Sequence, residues 1–182
     1  MNKNKLLIVV DMQNDFVTGS LANPAAEKII PNIVEKLKAK DYTYLIFTRD
    51  THQKNYLETQ EGKNLPVEHC IEGTKGWEII PELQEFTKNA FIIDKPTFGY
   101  KDWKAKLNEL FDGENNQPGD FPEEIELCGT VSSICVASNA TILKSLYPEM
   151  PISVLKNLCA DLSSEGHEAA MKVLNSQQII IK

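Results

Sequence analysis

A carboxylate, an amine and a thiol, Asp11, Lys95 and Cys135, each stand where an apolar run gives way to polar sequence. A thiol attacks carbonyls well only as its thiolate, and a helix N-terminus with a nearby cation lowers its pKa from about 8.5 by several units. Cys135 follows Gly129-Thr130-Val131-Ser132-Ser133-Ile134, a small-residue turn that leads into a helical pattern. Backbone N–H groups in such a turn could hold the oxyanion of a tetrahedral adduct. Cys128 inside an apolar strand and Cys159 lack these features, and Cys70, in a polar loop, is a second choice. His52 and His69 group elsewhere and His167 lies on a polar late helix, so the base for Cys135 must be something other than histidine. Asp11 can take the thiol proton, while Lys95 stabilises both carboxylate and thiolate. Taken singly, each of the three reads as structure: a turn aspartate, a solvated lysine, a buried cysteine. Their joint placement favours chemistry.

A second cluster follows the next apolar run. Asp50-Thr51-His52 offers an oxygen and a nitrogen ligand at i and i+2 of an extended segment, and His69 could supply a third. Glu58 and Glu61 lie between them. A mixed carboxylate and imidazole set with open water positions suits Zn²⁺, Fe²⁺ or Mn²⁺. The other reading is that the two histidines only hydrogen-bond within their loops. Trp77, Phe98 and Tyr100 are candidates for a pocket wall or for core packing.

The elements that must position these residues are legible as an alternation. Leu6–Val10 is a continuous apolar run, as expected of a strand buried on both faces. Further strands are expected over 42–48, 91–94, 125–128, 152–155 and 178–181. Helical spacing is expected over 24–40, 78–87, 101–111, 133–147 and 163–174, the first opened by Pro24. Strand and helix in turn predict an α/β fold: a three-layer, doubly wound sheet of about six parallel strands with helices on both faces, as one domain over 1–182. Ligands of such folds bind beyond the carboxyl ends of the strands, where strand order reverses, and the candidate residues all follow strands. Two stretches read as neither element. Residues 49–77 look functional, and residues 112–124 look like a solvated loop, with a lid or subunit contact as the other reading.

Composition narrows the class. Of 182 residues, 42% are hydrophobic and 25% charged, ordinary values for a folded domain. The net charge of −7, with Arg49 as the sole arginine, leaves no basic face for nucleic acid or an anionic membrane. No apolar run reaches the roughly 20 residues needed to cross a bilayer, and the first residues show no signal-peptide pattern, so a cytoplasmic location with reduced thiols is expected.

Five motifs in order resemble the isochorismatase-like cysteine hydrolases, within them the nicotinamidase branch. They are Val9-Val10-Asp11-Met12-Gln13-Asn14-Asp15-Phe16, Thr48-Arg49-Asp50-Thr51-His52, Leu65-Pro66-Val67-Glu68-His69-Cys70-Ile71-Glu72-Gly73-Thr74, Asp94-Lys95-Pro96 and Cys128-Gly129-Thr130-Val131-Ser132-Ser133-Ile134-Cys135-Val136. The resemblance implies a catalytic triad of Asp11, Lys95 and Cys135, a cis Thr130–Val131 peptide, and an oxyanion hole from the Val131 and Cys135 amides. It places Gln13 and Phe16 near the substrate. It implies a divalent metal, zinc first and iron or manganese next, on Asp50, His52, His69 and a glutamate, Glu61 fitting better than Glu58 by its distance before His69. The implied activity is hydrolysis of a small amide through a thioester, nicotinamide to nicotinate and ammonia first, in NAD salvage. A metal-independent hydrolase of N-carbamoyl or other small amides is the alternative, and a non-catalytic ligand-binding domain the third. The partner is a small amide, and a homo-oligomer is expected.

Overall fold

Leu6–Val10 carries no exposed surface. In the computed structural model of the chain, which describes residues 4–111 and 121–182, this run is the central strand β1 (Lys5–Val10). On one side lie β2 (Tyr44–Asp50) and β3 (Phe91–Lys95); on the other lie β4 (Glu124–Thr130), β5 (Ile152–Ala160) and β6 (Ile180–Ile181). All pairings are parallel and the order is β3-β2-β1-β4-β5-β6. Strand order therefore reverses between β1 and β4, which places the ligand crevice of a doubly wound sheet beyond Val10 and Thr130.

The helices are α1 (Asn14–Val17), α2 (Pro24–Ala39), α3 (Gln60–Asn64), α4 (Pro81–Thr87), α5 (Trp103–Phe111), α6 (Ala137–Leu146) and α7 (Ser164–Ser176). α2 packs with α1 and α4, and α6 packs with α5 and α7. With right-handed crossovers on either side of the reversal, these two groups cover opposite faces. α2 shows why the sequence folds this way. Asn23 Oδ1 accepts from Ala25 N at 3.0 Å, and Pro24 opens the first turn. Ala26, Ile29, Ile33 and Leu37 then form one buried stripe. Each of the larger side chains contributes about 1.5–3 kcal/mol by leaving water. Lys40 closes the helix in the left-handed conformation, φ 50°.

The expected α/β class and strand count are borne out, with local differences. β5 continues past Leu155 to Ala160 through a bulge: Leu127 faces Val154, but Gly129 faces Cys159. The expected 178–181 strand shortens to two residues because Gln178 takes φ 63°. Helix α4 starts at Pro81 rather than residue 78, since Ile79 bridges Gln13 and the Ile80 amide donates to Met12 O at 3.0 Å. The 133–147 pattern divides into a π-helical turn, Ser132–Val136, and α6. Residues 49–77, read as irregular, hold a 3₁₀ turn at Tyr56–Glu58 and α3. Of the 112–124 loop, residues 112–120 lie outside the described residues, and β4 begins at Glu124. No helix among the described residues is long and apolar enough to cross a membrane.

Candidate active site

β1 and β4 approach so closely at their ends that only glycine fits at 129. Its φ is 118°, and a Cβ there would lie 2.1 Å from Val10 O. Immediately beyond, Asp11 takes φ 51°, a left-handed conformation that costs a non-glycine residue of order 1–3 kcal/mol. Thr48 holds it there: the Asp11 amide donates to Thr48 O at 3.2 Å, and Thr48 Oγ1 donates to Asp11 Oδ1 at 2.7 Å. The turn directs the carboxylate toward Lys95 at the end of β3, whose Nζ lies 2.7 Å from Asp11 Oδ2. Lys95 Nζ also donates to Thr97 O at 3.1 Å and stands 3.6 Å from Asp50 Oδ1. Neither Asp11 nor Lys95 has exposed surface.

Cys135, 5% exposed, belongs to the π-helical turn that follows the Thr130–Val131 peptide, which is cis. Its thiol lies within the electrostatic reach of both Asp11 and Lys95. The structure thus brings Asp11, Lys95 and Cys135 together. The thiol's ionisation departs from the expectation of a lowered pKa: burial and the Asp11 charge push it well above the usual range, and Lys95 only partly offsets them. Burial also raises the Asp11 carboxyl, against the opposing pull of Lys95. Burial works to neutralise Lys95, yet the charges of Asp11, Cys135 and Asp50 outweigh it and hold the lysine cationic. The site is dry enough that the proton rests on sulfur beside a carboxylate of raised basicity.

A cavity of about 150 Å³ opens on Cys135, lined by Phe16, Leu21, Leu65, Phe98, Val131, Ile134 and Leu162 and by Asp50, Glu61 and His69 at one end. Its size is that of a cavity that holds one six-membered ring. Phe16 stands in its wall, its ring 5.6 Å from that of His69. Gln13, expected near the substrate, has no exposed surface and is committed to the backbone. Its Nε2 donates to Asp50 O and Trp77 O at 2.8 and 2.9 Å, and its Oε1 accepts from Asp50 N at 2.7 Å. It therefore supports Asp50 rather than lining the cavity. Of the three aromatics, Phe98 lines the cavity, Trp77 packs under Arg49 with the guanidinium 3.6 Å from its ring, and Tyr100 packs on Trp103.

Asp50, His52, Glu61 and His69 form a donor set whose ligand atoms all lie within 4.8 Å of one another. His52 Nε2 is 3.0 Å from Asp50 Oδ2 and 3.6 Å from Glu61 Oε1, and His69 Nε2 is 3.7 Å from each of these oxygens. Bonds of about 2.1 Å to one ion place its ligands roughly 3.0–3.4 Å apart, so these residues fit a divalent cation. Nδ1 of His69 is bonded to Val67 O at 2.8 Å, which turns Nε2 toward the set. α3 carries Glu61 inward and Glu58 is no part of the set. The hydrogen bond from His52, with His69 and Lys95 close by, overcomes burial and holds the Asp50 carboxyl low, while burial raises Glu61.

Several supporting residues were given no individual role by the sequence, although Asp15 lies within the first of the five motifs. Tyr56, fully buried, packs its ring 4.6 Å from His52 and 4.9 Å from His69 and donates to Leu65 O. Asp15 Oδ2 accepts from Cys70 N at 2.8 Å, tying the His69 loop to α1. Asn139, one helical turn after Cys135, donates to Cys135 O and Phe98 O and accepts from Tyr100 N and Trp103 Nε1. The i, i+4 spacing from Cys135 was its only visible mark.

The family description for the isochorismatase domain matches residues 5–181. The chain belongs to the isochorismatase domain family. A nicotinamidase/pyrazinamidase of Mycobacterium tuberculosis is 26% identical over 188 residues, 96% of each chain. The solved pyrazinamidase/nicotinamidase of Streptococcus mutans superposes with a TM-score of 0.83 at 26% identity, covering 98% of this chain and 100% of that one. The pyrazinamidase of Pyrococcus horikoshii, solved in complex with zinc, gives 0.75 at 28% identity with 98% of each chain covered. In this isochorismatase domain Cys135 and three of the four donors, Asp50, Glu61 and His69, line the same cavity.

Proposed function

We propose that the protein is a cysteine amidohydrolase of the nicotinamidase branch, releasing ammonia from a small aromatic amide, nicotinamide first. The observation that carries this reading is Cys135 lining an apolar cavity of about 150 Å³ with the buried Asp11–Lys95 pair behind it. Similarity across the full length to proteins named nicotinamidase supports it.

The chemistry follows from where the proton starts. Asp11, its basicity raised by burial, takes the Cys135 proton as sulfur attacks the amide carbonyl, and the cationic Lys95 stabilises the charges that remain. The Val131 and Cys135 amides are our candidates for the oxyanion donors, each worth about 2.7–4 kcal/mol where such donors are measured. Protonated Asp11 then gives its proton to departing ammonia, leaving a thioester. Asp11, again a carboxylate, activates the water that hydrolyses it. Asp50, His52, Glu61 and His69 would hold a divalent cation, zinc in our reading, which when bound supplies a Lewis-acidic anchor for a ring nitrogen. Among the described residues lining the cavity there is no lysine or arginine to receive the carboxylate of an N-carbamoyl acid, which favours the aromatic amide over that alternative.

The test is ammonia release from nicotinamide, pyrazinamide and an N-carbamoyl amino acid by the metal-supplemented protein and by Cys135→Ala. Turnover of the aromatic amides, lost by at least about 10³-fold in the folded variant, is expected. Retained turnover in that variant, or release from the carbamoyl compound alone, overturns the proposal.

A further inference from the structure

The π-helical turn that carries Cys135 is fastened at its first residue. Ser132 has no exposed surface, and its Oγ lies 3.0 Å from Ala160 O at the end of β5 and 2.8 Å from His167 Nδ1 on α7. A carbonyl oxygen can only accept, so the single hydroxyl proton goes to Ala160 and Oγ accepts from the imidazole. His167 must therefore carry its proton on Nδ1, leaving Nε2 as the other ring position. The next residue is fastened from the same side, the Ser133 amide donating to Asp161 Oδ2 at 2.7 Å. α7 thus grips the nucleophile's turn three residues before the sulfur, although His167 does not line the cavity.

We infer that His167 is a positioning residue for Cys135, acting through Ser132 to fix the turn that aims the sulfur into the cavity. The inference rests on the reading of Cys135 as the nucleophile. Single turns of π-helix inside a helical segment are frequent at functional sites, and such a turn needs side-chain partners to persist against the ordinary helix. His167 is half-buried on the far side of the turn, so its replacement removes a hydrogen bond without opening the core.

The experiment compares His167→Ala, His167→Asn and Ser132→Ala in the full-length, metal-supplemented protein. Asparagine places an N–H donor close to where Nδ1 stands; alanine places none. The alanine variant is expected to lose on the order of 10- to 100-fold in kcat with KM within about twofold, since a misplacement of about 1 Å costs this much. His167→Asn is expected to recover most of the loss. Combining His167→Ala with Ser132→Ala should cost no more than Ser132→Ala alone, because the two act as one unit. Backbone amide exchange over residues 131–137 supplies a readout independent of catalysis, expected to be faster in the alanine variant and restored by asparagine. Equal effects of alanine and asparagine on kcat, or unchanged exchange over 131–137 in the alanine variant, overturn the inference. If the wild-type protein releases no ammonia from any amide, the functional reading fails, and the exchange pattern still decides whether His167 holds the turn.

Discussion

Removing the side-chain amide of Asn139 should be among the most damaging single changes in the molecule. All four of its hydrogen-bonding positions are used: Nδ2 donates to Cys135 O at 2.8 Å and Phe98 O at 3.2 Å, and Oδ1 accepts from Tyr100 N at 2.9 Å and Trp103 Nε1 at 2.8 Å. In Asn139→Ala, the Cys135 carbonyl and the indole N–H of the fully buried Trp103 are stranded, at about 1–3 kcal/mol each. Phe98 is 46% exposed, so its carbonyl and the nearby Tyr100 amide reach water and add about 1 kcal/mol between them. The sum is about 3–7 kcal/mol, or roughly 6–28 °C in Tm for a chain of this length. Asn139→Asp gives a sharper signature. It keeps both acceptor contacts but turns an oxygen toward two carbonyls, so the folded state favours the protonated acid and raises the new carboxyl above its unfolded pKa of about 3.9. A raised folded pKa means the folded state binds the extra proton, so stability is lost as pH rises through that window and regained on acidification. Urea unfolding followed by circular dichroism near pH 8 and near pH 5 should show the deficit against wild type narrowing at the lower pH. A deficit below about 1 kcal/mol for Asn139→Ala, or one for Asn139→Asp that is constant with pH, would refute the reasoning.

Three further outcomes are expected. Glu61→Ala should weaken divalent-cation affinity by about 10- to 100-fold in competition with a chromophoric chelator, while Glu58→Ala leaves it unchanged; the reverse result would put the wrong glutamate in the set. Glu126 is 2% exposed and lies 2.7 Å from Lys36, 2.8 Å from Lys182 and 3.5 Å from Lys5. Burial alone would raise its carboxyl, but hydrogen bonds from Lys182 and Lys36 outweigh this and hold it below its usual value. The stability it adds is present above the unfolded pKa and lost as pH falls through the folded one, so Glu126→Gln should cost about 1–2 kcal/mol at neutral pH and progressively less below about pH 4 in matched urea titrations. Gly129→Ala combines a 2.1 Å approach to Val10 O with a φ of 118°, and recovery of folded, soluble variant at wild-type Tm would contradict the close strand contact.

The frame and its rim were legible because they rest on local regularities. The continuous apolar run Leu6–Val10 can be satisfied only by a strand covered on both faces, and the stripe Ala26, Ile29, Ile33 and Leu37 only by a helix lying on that sheet. Asp11, Asp50, Lys95 and Cys135 were visible because a parallel sheet delivers strand ends to one edge. What escaped was set by contacts between distant residues. The bounds of β5 depend on a bulge against β4, and the shape of 49–77 depends on Gln13 gripping Asp50 and Asp15 gripping Cys70. Spacing alone left Glu58 and Glu61 open, and the choice is made by the direction of α3. Proximity of a cation suggested an ionised sulfur, but the complete burial of Asp11 and Lys95 shows how little water reaches the thiol, and burial reverses the sign. Sequence placed His167 only on a polar late helix, yet it meets a serine 35 positions away.

The two oxygens of Asp50 face different neighbours, Oδ2 the histidine nitrogens and Oδ1 the Lys95 ammonium. Whatever is lodged among the imidazoles and whatever is lodged over the sulfur are then neighbours sharing a wall. Thermodynamic reciprocity makes each the other's effector: if the ion tightens the hold on an amide by some factor, the amide tightens the hold on the ion by the same factor. At equilibrium a chelator should accordingly be needed at higher concentration to strip a ligand-saturated sample than an empty one.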